Sequence, residues 1–121
     1  MKVLLVGNLG YVGPVLMEYL SSKKIKYDGI DINYFKNKKV TNFIKKEKIN
    51  QKYIDVRNID KHIISKYDAV IYLAAISNDP MGNEFKKTTF DINWKMAIKI
   101  AEMSKKAGIK KFIFASSCSM Y

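Results

Sequence analysis

The sequence predicts an α/β protein built on a doubly wound parallel sheet and truncated after its fifth strand. Three observations lead there. Strand-like and helix-like segments alternate along the 121 residues, as a chain of βαβ units requires. The first strand-like run passes through three spaced glycines directly into a helical pattern. The apolar run Ala69 to Ala75 is continuous rather than alternating, which suits a parallel strand covered on both faces.

Taken in order, Lys2 to Val6 is a short run of valine and leucine ending at Gly7. Tyr11 to Leu20 then places Val12, Val15, Leu16, Tyr19 and Leu20 at helical spacing. A second strand is predicted over Lys26 to Ile32, closing on Asp31. The lysine-rich stretch Asn33 to Lys48 follows, with a weak helical pattern at Val40 to Lys46. A short third strand near Lys52 to Ile54, a polar helix around Asn58 to Lys66 and the fourth strand, Ala69 to Ala75, come next. Asn78-Asp79-Pro80 and Gly82 mark a loop. Helical periodicity resumes over residues 84–107, and Gly108 stands where a helix C-cap belongs. That helix keeps a narrow charged face of Lys95, Lys99, Glu102 and Lys106, while Phe90, Ile92, Trp94, Met96, Ala97, Ile100, Ala101 and Met103 cover the rest. Lys111 to Ala115 is the fifth strand and leads into Ser116-Ser117-Cys118-Ser119.

With 48% hydrophobic and 27% charged residues, the chain is apolar enough for a packed core and is read as one domain over residues 1–121. Its apolar runs fall well short of the roughly 20 residues that span a bilayer, and none is a signal peptide. Cys118 is the only cysteine and His62 the only histidine, which excludes an internal disulfide and a zinc cluster. A reducing cytoplasm is the expected location. The net charge of +11 raises nucleic acid as a partner. Yet Arg57 is the single arginine, and the lysines scatter in pairs such as Lys23-Lys24, Lys45-Lys46, Lys86-Lys87 and Lys105-Lys106. Solvated helix faces, not a binding stripe, follow from that spread, and no nucleic-acid partner is expected.

Gly7-Asn8-Leu9-Gly10-Tyr11-Val12-Gly13 is a G-x-x-G-x-x-G set between strand and helix. Glycines permit a tight turn and close backbone approach, and the helix N-terminus offers N–H groups and a positive dipole to a pyrophosphate. The plainer reading is an ordinary turn; the strand and helix on either side favour a dinucleotide. Asp31 lies 18 residues beyond Gly13, where a carboxylate accepts both ribose hydroxyls and repels a 2′-phosphate, favouring NAD over NADP. A solvated turn acid is the alternative, and Asp28 is a weaker substitute because it precedes Gly29 inside the strand. Asp55, closing Tyr53-Ile54-Asp55, is placed to meet an adenine amino group or to serve as a turn acid.

The glycine set, Asp31, Asp55-Val56, Leu73-Ala74-Ala75, Asn93 and Ser116-Ser117-Cys118-Ser119-Met120-Tyr121 occur in the order of the extended short-chain dehydrogenase/reductases. Over essentially its whole length the chain resembles their nucleotide-sugar epimerase and dehydratase branch. The resemblance implies a Rossmann fold and NAD held by Gly7, Gly10, Tyr11, Val12, Gly13, Asp31, Asp55, Val56, Leu73, Ala74, Ala75 and Asn93. It implies a catalytic Ser117 that orients a sugar hydroxyl or keto oxygen, and a nucleotide-sugar substrate for the full-length enzyme. Tyr121 matches the structural tyrosine of the serine element, not the family's catalytic tyrosine, whose Y-x-x-x-K motif lies further on and is missing here. The chain is therefore expected to bind cofactor better than it catalyses. Cys118 has no histidine near it in sequence and is read as packing or pocket lining. The fifth strand is expected to be a bare edge, and the 84–107 helix to offer a homodimer surface. A catalytically silent dinucleotide-binding unit is the competing function.

Overall fold

The computed structural model describes residues 1–34, 36–75, 87 and 91–115. Strands β1 (Lys2–Val6), β2 (Lys26–Ile30), β3 (Gln51–Lys52), β4 (Ala69–Tyr72) and β5 (Lys111–Phe114) form one parallel sheet in the order β3-β2-β1-β4-β5. Helices α1 (Gly13–Ser22) and α2 (Lys38–Lys46) join the first three strands. Helix α3 (Lys61–Ile64) leads into β4, and α4 (Met96–Lys106), preceded by a π-helical turn Asp91–Lys95, leads into β5.

Period-two alternation along β1 separates two cores. Leu4 and Val6 point to one face, with Ile30, Ile64, Val70, Tyr72, Met96 and Ile100. Val3 and Leu5 point to the other, with Leu9, Met17, Leu20, Tyr27, Val40 and Ile44. So α1 and α2 cover one face and α3 and α4 the other: the predicted doubly wound sheet. Leu4, Leu5 and Val6 are wholly buried, each stabilising the fold by about 1.5–3 kcal/mol through area removed from water. The winding reverses between β1 and β4, and the carboxyl ends of those two strands open the crevice in which such sheets bind ligands.

The predicted boundaries shift for local reasons. Helix α1 starts at Gly13, not Tyr11, with Pro14 in its first turn fixing the start. Its buried line is Gly13, Met17 and Leu20, while Val12, Val15 and Tyr19 are exposed. The helical period was legible, but the inward face is set by the contact of Gly13 with the Asn8 backbone. Strand β2 stops at Ile30, so Asp31 is the first residue beyond it. Strand β3 is Gln51–Lys52 rather than Lys52 to Ile54, because Asp55 caps a 3-10 turn, Val56–Asn58, by accepting the Arg57 N–H. Asp60 caps α3 in the same way, which shortens that helix to one turn.

Helices α1, α2 and α4 end alike. Lys24, Lys48 and Gly108 have φ of 57°, 54° and 76°, and their N–H groups donate to Ser21, Lys45 and Lys105. The following isoleucines, Ile25, Ile49 and Ile109, donate to Leu20, Ile44 and Ser104, completing three Schellman motifs. Gly108 is the C-cap glycine expected; the two lysines do the same work at a steric cost. Strand β5 lies at a sheet edge, with Ile113 and Phe114 about half exposed. Among the described residues no helix is long and apolar enough to cross a membrane.

Candidate functional site

The glycine loop leaves β1 at the carboxyl edge of the sheet, and its three glycines meet different constraints. Gly7 has φ of 86° and lies so close to β4 that a Cβ would overlap the backbone of Ala74. Gly13, the first residue of α1, would drive a Cβ into the carbonyl of Asn8. Both are required by the fold. Gly10 is not: its φ is not positive, and the nearest atom to an added Cβ is the Gly7 carbonyl oxygen at 3.9 Å. The loop therefore carries one glycine whose open side serves no packing need, at the place where close backbone approach would matter.

The helix that follows has the complementary feature. Asn37 caps α2 by accepting from Lys39 and Val40, and Asp60 caps α3 by accepting from Ile63. No side chain caps α1, whose N-cap is Val12. Its first-turn N–H groups and dipole face the loop without a built-in acceptor, the arrangement that favours an anion. Tyr11 is 98% exposed beside them.

Asp31 reaches back over this loop. One carboxylate oxygen accepts the N–H of Leu9 at 2.9 Å and the other the N–H of Asn33 at 2.7 Å. An ionised carboxylate has about four acceptor positions, so these two bonds fix the group and leave acceptor capacity for a ribose diol. Asp28 is unavailable for that role. It is buried at 7% exposure, accepts the Tyr67 hydroxyl at 2.7 Å and pairs with Lys2 Nζ at 3.1 Å.

Asp55 is engaged too. Its carboxylate binds the Arg57 guanidinium through Nε at 3.0 Å and Nη2 at 2.7 Å, and it also accepts the Arg57 N–H. The Arg57 hydrogen bond holds the Asp55 pKa below the ordinary carboxylate value, against a smaller opposing effect of burial. The Val56 side chain is buried in the core, which leaves only its backbone to meet a ligand. Burial, and secondarily the charge of Asp55, pushes the Tyr72 pKa up. The Tyr72 hydroxyl donates to the Ile92 carbonyl at 2.7 Å, pinning the π-helical turn that carries the half-buried Asn93 at the carboxyl end of β4. Turns of this type recur at functional sites.

Gly7, Gly10, Gly13, Asp31 and Ala74 are thus brought to one edge, at the β1–β4 reversal. Leu73 continues the ladder by donating to Val6 at 2.7 Å, and Ala74 touches Gly7. Ser117, Cys118 and Tyr121 lie outside the described residues. Sequence reasoning missed the side chain of Asn8, which is fully buried beneath the loop and paired with Gln51. A polar residue between two glycines was the one available signal.

Comparison with known proteins agrees with this geometry. UDP-N-acetylglucosamine 4-epimerase from Methanobrevibacter ruminantium, solved with UDP-N-acetylmuramic acid, is similar with a TM-score of 0.87 at 26% identity, over 99% of this chain and 39% of that one. UDP-glucose 4-epimerase from Thermus thermophilus, solved with NAD, shares the fold with a TM-score of 0.79 at 20% identity, over 97% of this chain and 38% of that one. Among curated proteins, UPF0659 protein YMR090W of Saccharomyces cerevisiae is 28% identical over 97% of this chain and 51% of its own length. The chain thus spans about half of that relative and under two fifths of the two structures. The profile of the NAD dependent epimerase/dehydratase family matches residues 3–121, and the chain belongs to that family as its NAD-binding Rossmann portion.

Proposed function

We propose that this chain holds NAD along the carboxyl edge of the sheet, for redox chemistry at a ring carbon of a nucleotide-linked sugar. The observation that carries the reading is Gly10, open on one side where neither backbone conformation nor packing needs a glycine, next to a helix N-terminus that no side chain caps. The pyrophosphate lies over Gly10 and the first turn of α1, with the backbone of Tyr11, Val12 and Gly13 facing it. Asp31 accepts the adenosine ribose hydroxyls and repels a 2′-phosphate. The backbone of Val56 and the carboxylate of Asp55 border the adenine, and Leu73, Ala74, Ala75 and Asn93 border the remainder.

NAD supplies the acceptor and donor of a hydride. The chain's own part is to hold it: small residues at Gly7 and Ala74 bring backbone to the crevice, and Asp31 fixes the loop and the ribose together. Ser117 orients the sugar oxygen by hydrogen bonding. A second copy of the chain docks on α4 and the turn before it, within the 84–107 segment named above, where Trp94 and Ile98 are 54% and 42% exposed.

Calorimetry with NAD and NADP, on the chain and its Asp31→Asn variant, tests the cofactor assignment. The chain is expected to favour NAD, and the variant to narrow the preference because the charge is gone. A folded chain that binds neither nucleotide, or both equally, would overturn it.

A further inference from the structure

The loop that shapes this edge is held from below by a pair of side-chain amides. Asn8 is wholly buried. Its Nδ2 donates to Gln51 Oε1 at 2.7 Å, and Gln51 Nε2 donates back to Asn8 Oδ1 at 3.1 Å. The same Nδ2 lies 3.2 Å from Met17 Sδ on α1. The two amides satisfy each other, and Gln51 Nε2 has a longer bond, 3.4 Å, to the Lys52 carbonyl.

Gly29 makes room for them. Gln51 is the ladder partner of Gly29 across β2 and β3, and a Cβ on Gly29 would overlap both Asn8 Nδ2 and Gln51 Oε1. The amide pair thus occupies the space a β2 side chain would fill, on the face that α1 and α2 cover. It joins the loop to a strand 43 residues away. Above it, the Asn8 carbonyl carries the first residue of α1, and the next residue, Leu9, is tied to Asp31. The backbone from Gly7 to Gly10 is consequently fixed on both sides: from the end of β2 by Asp31, and from β3 by the amide pair. Two neutral, mutually satisfied amides give a rigid, directional link without a buried charge.

We propose that Asn8 and Gln51 are positioning residues that set the backbone of the pyrophosphate loop. The proposal rests on the cofactor reading above. Replacing Gln51 leaves the buried Asn8 amide without its main partner, and the loop moves as Asn8 seeks water or another acceptor.

Gln51→Met keeps the length of the side chain and removes both amide bonds. Two measurements follow on the folded chain. Hydrogen exchange without nucleotide is expected to show the Leu9 and Gly10 amides exchanging faster, with the β4 amides unchanged. Calorimetry is expected to show the NAD dissociation constant rising about tenfold, the scale of one buried donor left unpaired. Adenosine, which lacks the pyrophosphate, should bind as before. If Gln51→Met fails to fold, Asn8→Ala provides the test from the other side of the pair, since it removes both amide bonds at the loop. Unchanged loop exchange and NAD affinity would overturn the proposal, as would a parallel loss of NAD and adenosine binding, which marks general loosening. If the parent chain binds no NAD while loop exchange still responds, the cofactor reading falls and the amide tie stands.

Discussion

Gly10 allows cofactor binding to be separated from folding by adding a single methyl group at each loop glycine. At Gly10 an alanine Cβ meets nothing closer than 3.9 Å, and the backbone does not demand a positive φ. Gly10→Ala should leave the fold intact and, by restricting the unfolded chain, stabilise it by about 0.4–1 kcal/mol. For a chain of this length the unfolding entropy is about 0.25 kcal/mol/K, so the melting temperature should rise by about 2–4 °C. At Gly7 and Gly13 the methyl group overlaps the backbone of Ala74 and Asn8, and at Gly7 the φ of 86° adds strain. Those variants should lose about 3 kcal/mol or more, near 12 °C in melting temperature. Binding should behave in the opposite sense. A methyl group on the open face of Gly10 intrudes on the pyrophosphate by the usual overpacking cost of about 1–3 kcal/mol, a rise of about 5- to 150-fold in the NAD dissociation constant. Thermal melting by circular dichroism and NAD titration by calorimetry read the two effects. A Gly10→Ala chain that melts normally and binds NAD as the parent does would refute the reasoning, because the loop's open side would then not face the cofactor.

The C-terminal lysines of α1 and α2 sit in the left-handed region at φ of 57° and 54°. Lys24→Gly and Lys48→Gly should each raise stability by about 1 kcal/mol, measured by urea midpoints. Tyr67→Phe removes the hydroxyl that Asp28 accepts at 2.7 Å, and equilibrium unfolding should show a loss of about 1–3 kcal/mol. Burial raises the pKa of Tyr27, Tyr67 and Tyr72. Their protons are kept by the folded chain but released by the unfolded one above about pH 10, so stability should hold below that pH and fall as pH rises through it. Tyr72→Phe should flatten that alkaline loss in a pH series of melts; an unchanged slope would contradict the assigned burial. Asp55, lowered by Arg57, contributes in the other direction: its share is present above about pH 4 and lost as pH falls. In Arg57→Ala an NMR titration of Asp55 should move back toward the ordinary carboxylate range, while stability changes by less than about 1 kcal/mol for so exposed a pair.

Local chemistry decided what was legible in the sequence. Alternation of strand and helix, continuous apolarity at Val70 to Tyr72 and the glycine spacing depend on neighbours in the chain, and they pointed to the doubly wound parallel sheet and to a glycine turn between β1 and α1. The C-cap role of Gly108 was legible for the same reason, since a helix end is built from residues a few positions apart. The inward face of α1, the early end of β2 and the engagement of Asp55 were not. The first two were settled by contacts made on folding, Gly13 against Asn8 and Asp31 against Leu9; the third is a local contact across two positions, in the turn that Asp55 caps. The partnership of Asn8 with Gln51 across Gly29 is the extreme case. By itself the sequence determined the topology and the glycine loop at the carboxyl edge of the sheet, because periodicity and glycine placement are local. Only the tertiary structure decided which polar groups are spent holding that loop and which remain open, because that depends on residues joined by the parallel register across the sheet.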